Sequence, residues 1–172
     1  MKRNNIVLVG FMGTGKSTVG RFLAEKLGWD FIDTDHYIEK QEGMSIAEIF
    51  TKHGEAVFRG IETKAILEIM RKTNQVVSTG GGAVLAEENR KSLKANGFVV
   101  ALTASVETII QRVGGDRNRP LLQGKANEVV PQLLHRRKHA YDFAEITIKT
   151  DRLRIEFIAQ RLLVAYHKQT KT

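Results

Sequence analysis

Short apolar runs alternate with longer amphipathic segments along this chain. The apolar runs predict five β-strands, at Asn5–Val9, Asp30–Asp33, Gln75–Ser78, Phe98–Leu102 and Glu145–Lys149. Between them, apolar residues recur at the three- and four-residue spacing of a helix. The predicted helices cover about 16–27, 35–41, 45–53, 55–72, 86–95, 105–113, 126–143 and 152–168. This alternation predicts an α/β fold in which helices cover both faces of a parallel sheet.

Two further patterns predict core packing rather than ligand binding. The last helix carries an apolar stripe at helical spacing, formed by Ile155, Ile158, Ala159, Leu162, Leu163 and Tyr166. Such a stripe is the face that a helix buries against a sheet. We also interpret Trp29 as a packing residue and not as a stacking platform for a base.

The composition narrows the classes of function. The chain has 172 residues, of which 42% are hydrophobic, and no cysteine. The lack of cysteine excludes disulfides and thiolate zinc sites and suits a reducing compartment. No apolar stretch approaches the ~20 residues that cross a bilayer, and the apolar run near the N-terminus is too short for a signal peptide. We therefore expect a cytoplasmic protein without a membrane partner.

The net charge of +8 allows two interpretations. A basic surface can bind nucleic acid, or arginines can line a pocket for small anions. The positive residues are spread along the chain, with HRRKH at 135–139 as the densest cluster. Because no nucleic-acid-binding motif accompanies them, we favour small anions and expect no nucleic-acid partner.

A phosphate-binding loop is the clearest motif. GFMGTGKS, from Gly10 to Ser17, matches G-x-x-x-x-G-K-[ST] between a predicted buried strand and a predicted helix. Its backbone amides and the positive end of the helix would cradle phosphates, while Lys16 reaches the β- and γ-phosphates and Ser17 ligates Mg²⁺. The loop alone fits kinases, GTPases and ATPase motors. The absence of a guanine-reading N-K-x-D motif and the small size of the chain favour a small-molecule kinase.

A second loop is a candidate lid. The segment Gly114–Gly124, GGDRNRPLLQG, is polar, rich in glycine and arginine, and long for a compact domain. An arginine in it, Arg119, would stabilise the charge of a transferring phosphoryl group if the loop closes. An ordinary surface loop is the alternative.

Groups suited to an acceptor follow the second and third strands. Asp33 and Asp35 lie two residues apart, and residues so spaced on an extended strand face the same side. We expect both carboxylates in one crevice, one toward Mg²⁺ and one toward an acceptor hydroxyl. The alternative is that Asp35 is a solvated N-cap of the helix that follows it. The glycines of STGGG at 78–82 predict a loop that contacts a ligand.

The remaining charged candidates are weaker. Arg59 and Glu62 are spaced to pair on one helix face, but an exposed pair of this kind contributes little, and taken alone it predicts no site. Arg137 follows the candidate lid and is suited to bind an acceptor carboxylate. Its spacing alone does not decide between that role and a solvated surface.

Taken in order, these motifs resemble the shikimate kinase family. The resemblance rests on GFMGTGKST (10–18), DTD (33–35), FRGIE (58–62), STGGG (78–82), RPLL (119–122) and the pair Arg137 and Tyr141. It implies a three-layer P-loop kinase fold with a parallel sheet in the order 2-3-1-4-5 and one domain over 1–172. Within that domain it implies an acceptor-binding region at about 33–62 and a lid at about 113–125.

The resemblance also implies an activity. The expected reaction is the ATP-dependent phosphorylation of the 3-hydroxyl of shikimate, in chorismate and aromatic amino-acid biosynthesis, by a monomer. The implied catalytic residues are Lys16, Asp35 and Arg119. The implied ATP-binding residues are Gly13, Thr14, Gly15, Lys16, Ser17, Thr18, Arg112 and Arg119. The implied shikimate-binding residues are Asp35, Arg59, Gly80, Gly81, Gly82 and Arg137, and the implied Mg²⁺ ligands are Ser17 and Asp33.

The chain departs from the family pattern at two places. Phe143 replaces an acidic residue in the segment YDFAEI, and TDRLRIE after the last strand lacks a proline that some members carry. The second departure leaves the adenine contacts open. Two alternatives also stay open, a related kinase acting on gluconate and a catalytically inactive module that binds nucleotide or nucleic acid.

Overall fold

The computed structural model describes residues 4–114 and 125–170. The strands are β1 (Asn5–Val9), β2 (Asp30–Asp33), β3 (Gln75–Ser78), β4 (Phe98–Thr103) and β5 (Ile146–Lys149). The helices are α1 (Lys16–Leu27), α2 (Thr34–Glu42), α3 (Ile46–Ile69), α4 (Glu87–Asn96), α5 (Val106–Val113), α6 (Ala126–Arg136) and α7 (Ile155–Thr170). A short 3₁₀ turn covers Ala83–Leu85.

The strands form a parallel sheet in the order β2-β3-β1-β4-β5, so the predicted fold class and strand order are confirmed. β1 lies at the centre of the sheet and is buried on both faces. Its alternate side chains enter two different cores, with Ile6 and Leu8 in one and Val7 and Val9 in the other. Helices on both faces cover these cores, which is why the central strands β1 and β4 are nearly continuous apolar runs rather than alternating ones.

Several predicted boundaries shift for identifiable reasons. The two helices expected at 45–53 and 55–72 join into α3, with a kink at Gly54, whose φ of 83° and ψ of 169° are not helical. The helix expected at 126–143 ends at Arg136, because the backbone of Arg137 leaves the helix and the chain turns toward β5. The helix expected at 152–168 begins only at Ile155.

The predicted packing residues behave as expected. In α7, the stripe residues Ile158, Ala159, Leu162 and Tyr166 are buried. Trp29 packs edge-on against Tyr166, with the ring centroids 5.9 Å apart. None of the helices in residues 4–114 and 125–170 combines the length and apolar character needed to span a bilayer.

The topology brings three loops to one edge of the sheet. In parallel sheets, ligands bind at the carboxyl ends of the strands. Here the ends of β1, β2 and β3 lead into the phosphate loop at 10–15, the carboxylates at 33–35 and the glycines at 80–82. Because these strands are hydrogen-bonded neighbours, segments far apart in sequence meet at this edge.

Candidate active site

The loop between β1 and α1 is held together by side chains that hydrogen-bond to its own backbone. The hydroxyl of Thr14 and the Nζ of Lys16 both donate to the carbonyl oxygen of Phe11, each at 2.8 Å. The loop forms one wall of a cleft of about 410 Å³. The N-terminal end of α1 opens into this cleft, so backbone amides and helix dipole both favour an anion there.

The hydroxyl of Ser17 contacts the carboxylate that ends β2. Ser17 Oγ donates to Asp33 Oδ2 at 2.7 Å and lies 3.2 Å from the hydroxyl of Ser78. A serine that donates its proton to a carboxylate keeps its lone pairs for a cation. Hard oxygen donors of this kind, few in number and next to a phosphate site, fit Mg²⁺, which retains several waters in proteins.

The two aspartates do not share an extended strand, so the predicted route to one crevice is wrong. Asp33 is the N-cap of α2, and its Oδ1 accepts from the amides of Asp35 and His36 at 3.1 and 3.3 Å. Asp35 therefore lies in the first helical turn. The alternative, an N-cap at Asp35, is wrong as well, because the cap is Asp33. Both carboxylates nevertheless line the cleft.

Asp35 and Glu62 converge above Gly80. A Cβ on Gly80 would lie 2.7 Å from Asp35 Oδ1 and 3.0 Å from Glu62 Oε1, so the two oxygens approach one point that only a glycine leaves open. Neither oxygen has a hydrogen-bond partner in the described chain. Burial, reinforced by the charges of Asp33 and Glu62, raises the pKa of Asp35 to about 6, while the charge of Lys16 opposes the shift.

The Arg59–Glu62 pair is not the exposed pair that the spacing suggested. Arg59 donates to Glu62 at 2.7 Å and to Glu55 at 3.1 Å, and the side chain of Glu62 is only 1% exposed. Burial raises the pKa of Glu62, against the lowering effect of Arg59. The guanidinium of Arg59 packs against the glycine loop, since a Cβ on Gly82 would lie 2.5 Å from one of its nitrogens.

Arg137 is a buried cation beside this loop. Only 6% of the residue is exposed, and its guanidinium lies 5.7 Å from the ring centroid of Phe11. Within residues 4–114 and 125–170 no carboxylate lies within ion-pair distance of it. A buried charge needs a partner to offset its desolvation, so this position is prepared for an anion.

Arg112 joins the phosphate loop to the turn after β5. It donates to the carbonyl of Gly13 at 2.9 Å and to the hydroxyl of Thr150 at 3.3 Å. It also borders a second cavity of about 650 Å³ that contains Asp151. Hydrogen bonds from Ser105 and from the Thr108 hydroxyl hold the pKa of Asp151 well below its usual range.

Most of the predicted site residues come together in or beside one cleft. The cleft is lined by Gly13, Gly15, Lys16, Ser17, Thr18, Asp33, Asp35, Gly80, Gly81 and Arg112, among others. Thr14 is fully buried beneath the loop and supports it. Gly82, Arg59 and Arg137 adjoin the same glycine turn, whereas Arg119 and positions 115–124 of the predicted lid lie outside the described residues.

Two residues of the site were assigned no role in it from the sequence. Glu62 was regarded as half of a surface pair, although its helical spacing from Arg59 in FRGIE was a usable signal. Tyr141 donates to the carbonyl of Gly81 at 2.8 Å. The pair of Arg137 and Tyr141, four residues apart, contributed to the family resemblance. The resemblance predicted no contact for Tyr141.

A parallel sheet with a phosphate loop at its carboxyl edge, opposed by carboxylates and buried arginines, defines a P-loop kinase of small molecules. Comparison with known proteins gives the family. The shikimate kinase family model matches residues 12–167, and this chain therefore belongs to the shikimate kinase family.

Individual relatives are similar to this protein over most of its length. The shikimate kinase of Thermodesulfovibrio yellowstonii is 47% identical over 165 residues, which are 95% of each protein. That of Geobacter sulfurreducens is 50% identical over 85% of this chain and 81% of its own length. Shikimate kinase from Acinetobacter baumannii in complex with shikimate superposes with a TM-score of 0.93 at 43% identity, over 96% of this chain and 94% of that one.

More distant structures share the fold alone. A gluconokinase from Sinorhizobium meliloti has a TM-score of 0.62 at 19% identity. The family uses ATP as co-substrate, and the chain is a phosphotransferase.

Proposed function

We propose that this protein transfers the γ-phosphoryl group of ATP to the 3-hydroxyl of shikimate, giving ADP and shikimate 3-phosphate. The observation that carries the proposal is the grouping around the glycine turn. Arg59 and the carboxylate of Asp35 border the turn at 80–82, and Arg137 lies against Phe11 of the adjacent phosphate loop. The bound ligand of the Acinetobacter baumannii relative supports the same acceptor.

The phosphate end of the cleft would hold ATP. Residues Gly13 to Thr18 line the cleft or support the loop that does, and Lys16 would contact the β- and γ-phosphates. Arg112, fixed by the carbonyl of Gly13 and by Thr150, would lie against the nucleotide. The adjacent cavity that Arg112 borders is large enough for a base.

Mg²⁺ is part of this proposal, with Ser17 and Asp33 as the residues that would hold it. The ion would neutralise charge on the transferring phosphates. Ser17 is already oriented by Asp33 at 2.7 Å, and Asp33 is fixed as the cap of α2. Asp33 therefore acts through an arrangement that exists before substrates bind, which reduces the reorganisation needed for catalysis.

The acceptor end would hold shikimate by its carboxylate and its hydroxyls. Hydrogen bonds between charged groups contribute about 1.5–3 kcal/mol each when buried, and Arg137 is a buried cation that lacks an ion-pair partner in the described chain. Arg59 would bind the same carboxylate. The amides of Gly80, Gly81 and Gly82 would line the ring, and the free Oδ1 of Asp35 would accept from the 3-hydroxyl.

Phosphoryl transfer depends mainly on positioning and on electrostatic stabilisation. With a pKa of about 6, Asp35 is mostly ionised at neutral pH and can still take a proton as the hydroxyl attacks. We therefore assign it an orienting role first and a basic role second. Lys16 and Arg119 would stabilise the charge of the transferring group; Arg119 rests on the sequence resemblance alone.

We extend the proposal to the domain organisation, the oligomeric state and the cellular location of the protein. The chain would act as a monomeric single domain over 1–172, with a lid at about 113–125 that closes over ATP, in the cytoplasm and without nucleic acid or membrane. These statements rest on the resemblance and on the composition.

The test is a coupled ADP-release assay with purified protein, ATP and Mg²⁺. We expect turnover that depends on added shikimate and a product phosphorylated at the 3-hydroxyl by NMR. Gluconate is the matched control because gluconokinase shares the fold. Turnover with gluconate and none with shikimate would refute the proposal, as would tight, steeply salt-dependent nucleic-acid binding in a protein without shikimate-dependent ADP release.

A further inference from the structure

The segment between α6 and β5 carries a tyrosine that reaches back into the site. The segment is fixed on the sheet at its end, where the amide of Glu145 donates to the carbonyl of Val99 at 2.9 Å and the Glu145 carboxylate accepts from the Val99 amide at 2.7 Å. The ring of Tyr141 packs partly buried against the core formed by Val7, Val9 and their neighbours. The ring of Tyr141 is therefore held in this core.

The hydroxyl of Tyr141 connects two parts of the acceptor site. It donates to the carbonyl of Gly81 at 2.8 Å. Burial raises its pKa to about 12, while the charge of Arg137 and a hydrogen bond from it act in the opposite direction. The hydroxyl thus donates its proton to the glycine turn, and the guanidinium of Arg137 lies near its oxygen.

Gly81 in turn lies against the phosphate loop. A Cβ on Gly81 would lie 3.2 Å from the amide nitrogen of Met12 and 3.6 Å from the carbonyl oxygen of Gly10. The glycine turn therefore lies against the phosphate loop, and Arg137 lies against Phe11 of the same loop. Tyr141 is hydrogen-bonded to the turn and lies near Arg137.

We propose that Tyr141 is a positioning residue that fixes Arg137 relative to the Gly80–Gly82 turn, so that the acceptor carboxylate binds at a set distance from the phosphate loop. This inference rests on the proposed function. The link matters because no carboxylate in the described chain lies within ion-pair distance of Arg137, and the charge of Glu62 acts on it only from farther away. Without the hydroxyl, its long side chain gains rotamer freedom that binding must remove, and the carbonyl of Gly81 loses a donor.

The test is Tyr141→Phe, which removes one oxygen and keeps the ring in its core. We expect the Kd for shikimate, measured by isothermal titration calorimetry, and the KM for shikimate to rise about tenfold. That change equals about 1.4 kcal/mol, within the range for losing one hydrogen bond at a buried group. The KM for ATP should stay within about twofold. Tyr37→Phe is the matched control, since the hydroxyl of Tyr37 pairs with Glu68 away from the cleft.

A double-mutant cycle separates positioning from a general loss of structure. If Tyr141 acts through Arg137, then Tyr141→Phe added to Arg137→Ala changes shikimate binding by less than about threefold, although each single change weakens it about tenfold or more. Additive effects in the cycle would overturn the proposal. So would a Tyr141→Phe variant that keeps its shikimate Kd, or one that loses ATP and shikimate affinity to the same extent.

Failure of this inference can be told apart from failure of the proposed function. Wild-type protein that releases ADP with shikimate, together with an unaffected Tyr141→Phe, leaves the function standing and removes only the positioning role. Wild-type protein that neither binds nor phosphorylates shikimate removes both.

Discussion

Replacing Asp35 with asparagine should make the protein more stable and less active. The carboxylate is held at a buried point beside Asp33 and Glu62, and these surroundings raise its pKa from 3.8 to about 6. Each tenfold change in proton affinity corresponds to about 1.4 kcal/mol, so keeping Asp35 ionised costs the folded state up to about 3 kcal/mol. An asparagine avoids the charge but is still a buried polar group, which reduces the gain. We expect a net stabilisation of about 1–3 kcal/mol at pH 8.

The sign of the pH dependence follows from the direction of the shift. Because the folded protein binds the proton more tightly than the unfolded chain, protonation of Asp35 stabilises the fold. That stabilisation is fully present below pH 3.8 and is lost as the pH rises through about 6. The advantage of Asp35→Asn over wild type should therefore be about 1 kcal/mol larger at pH 8 than at pH 5.

Urea unfolding at both pH values measures these free energies, and calorimetry gives Tm. For a chain of this size, 1 kcal/mol corresponds to about 2–4 °C, so Tm should rise by about 3 °C or more at pH 8. The control is Asp30→Asn, which removes an exposed carboxylate from the start of β2 and changes the net charge equally. It should leave the stability almost unchanged.

Steady-state kinetics test the predicted loss of activity in Asp35→Asn. Loss of a group that orients and deprotonates the acceptor costs about 10²–10⁴ in rate, and wild-type kcat/KM for shikimate should fall as the pH drops below about 6. An Asp35→Asn protein that is no more stable than wild type at pH 8 would refute the account of the buried charge. Normal turnover in that variant would remove Asp35 from the mechanism.

The other predictions concern the acceptor clamp and the metal. Arg137→Ala should raise the KM for shikimate at least tenfold and leave the Kd for ATP within about twofold; equal losses would refute the clamp. Gly82→Ala places a Cβ 2.5 Å from a guanidinium nitrogen of Arg59, so it should weaken shikimate binding by calorimetry about tenfold. Gly60→Ala, with no atom within 4 Å of its Cβ, should keep shikimate affinity and gain helix stability. Ser17→Ala should raise the Mg²⁺ concentration for half-maximal activity severalfold, and an unchanged Mg²⁺ titration would exclude Ser17 as a ligand.

The phosphate end of the site was predictable because its information is local. The strand Asn5–Val9, the loop and the helix Lys16–Leu27 are consecutive and have the bounds predicted from the pattern. A buried parallel strand needs an apolar run, and a phosphate loop needs glycines and one lysine at fixed spacing. The strand order 2-3-1-4-5 came from the family resemblance and not from any local pattern.

The acceptor end was less predictable because its geometry depends on contacts between distant segments. Spacing suggested that Asp33 and Asp35 share a strand face, but Asp33 caps α2 and so turns Asp35 into the first helical turn. Spacing also suggested an exposed Arg59–Glu62 pair, but packing of α3 buries Glu62. The burial of Glu62 is not visible in the residues that flank it, whereas the cap at Asp33 is a contact with the next residues of the chain.

By itself the sequence determined the class of protein, because a nucleotide phosphate is recognised by backbone amides that one continuous strand, loop and helix present. Its motifs, read together, also indicated the family. Only the tertiary structure decided the state of the acceptor groups. It showed that Asp35 and Glu62 meet above Gly80 and that Arg137 lies buried beside Tyr141. The physical reason is that desolvation and charge coupling depend on what surrounds a side chain in space. Residues far apart in the sequence supply those surroundings, as Gly81 does for Tyr141.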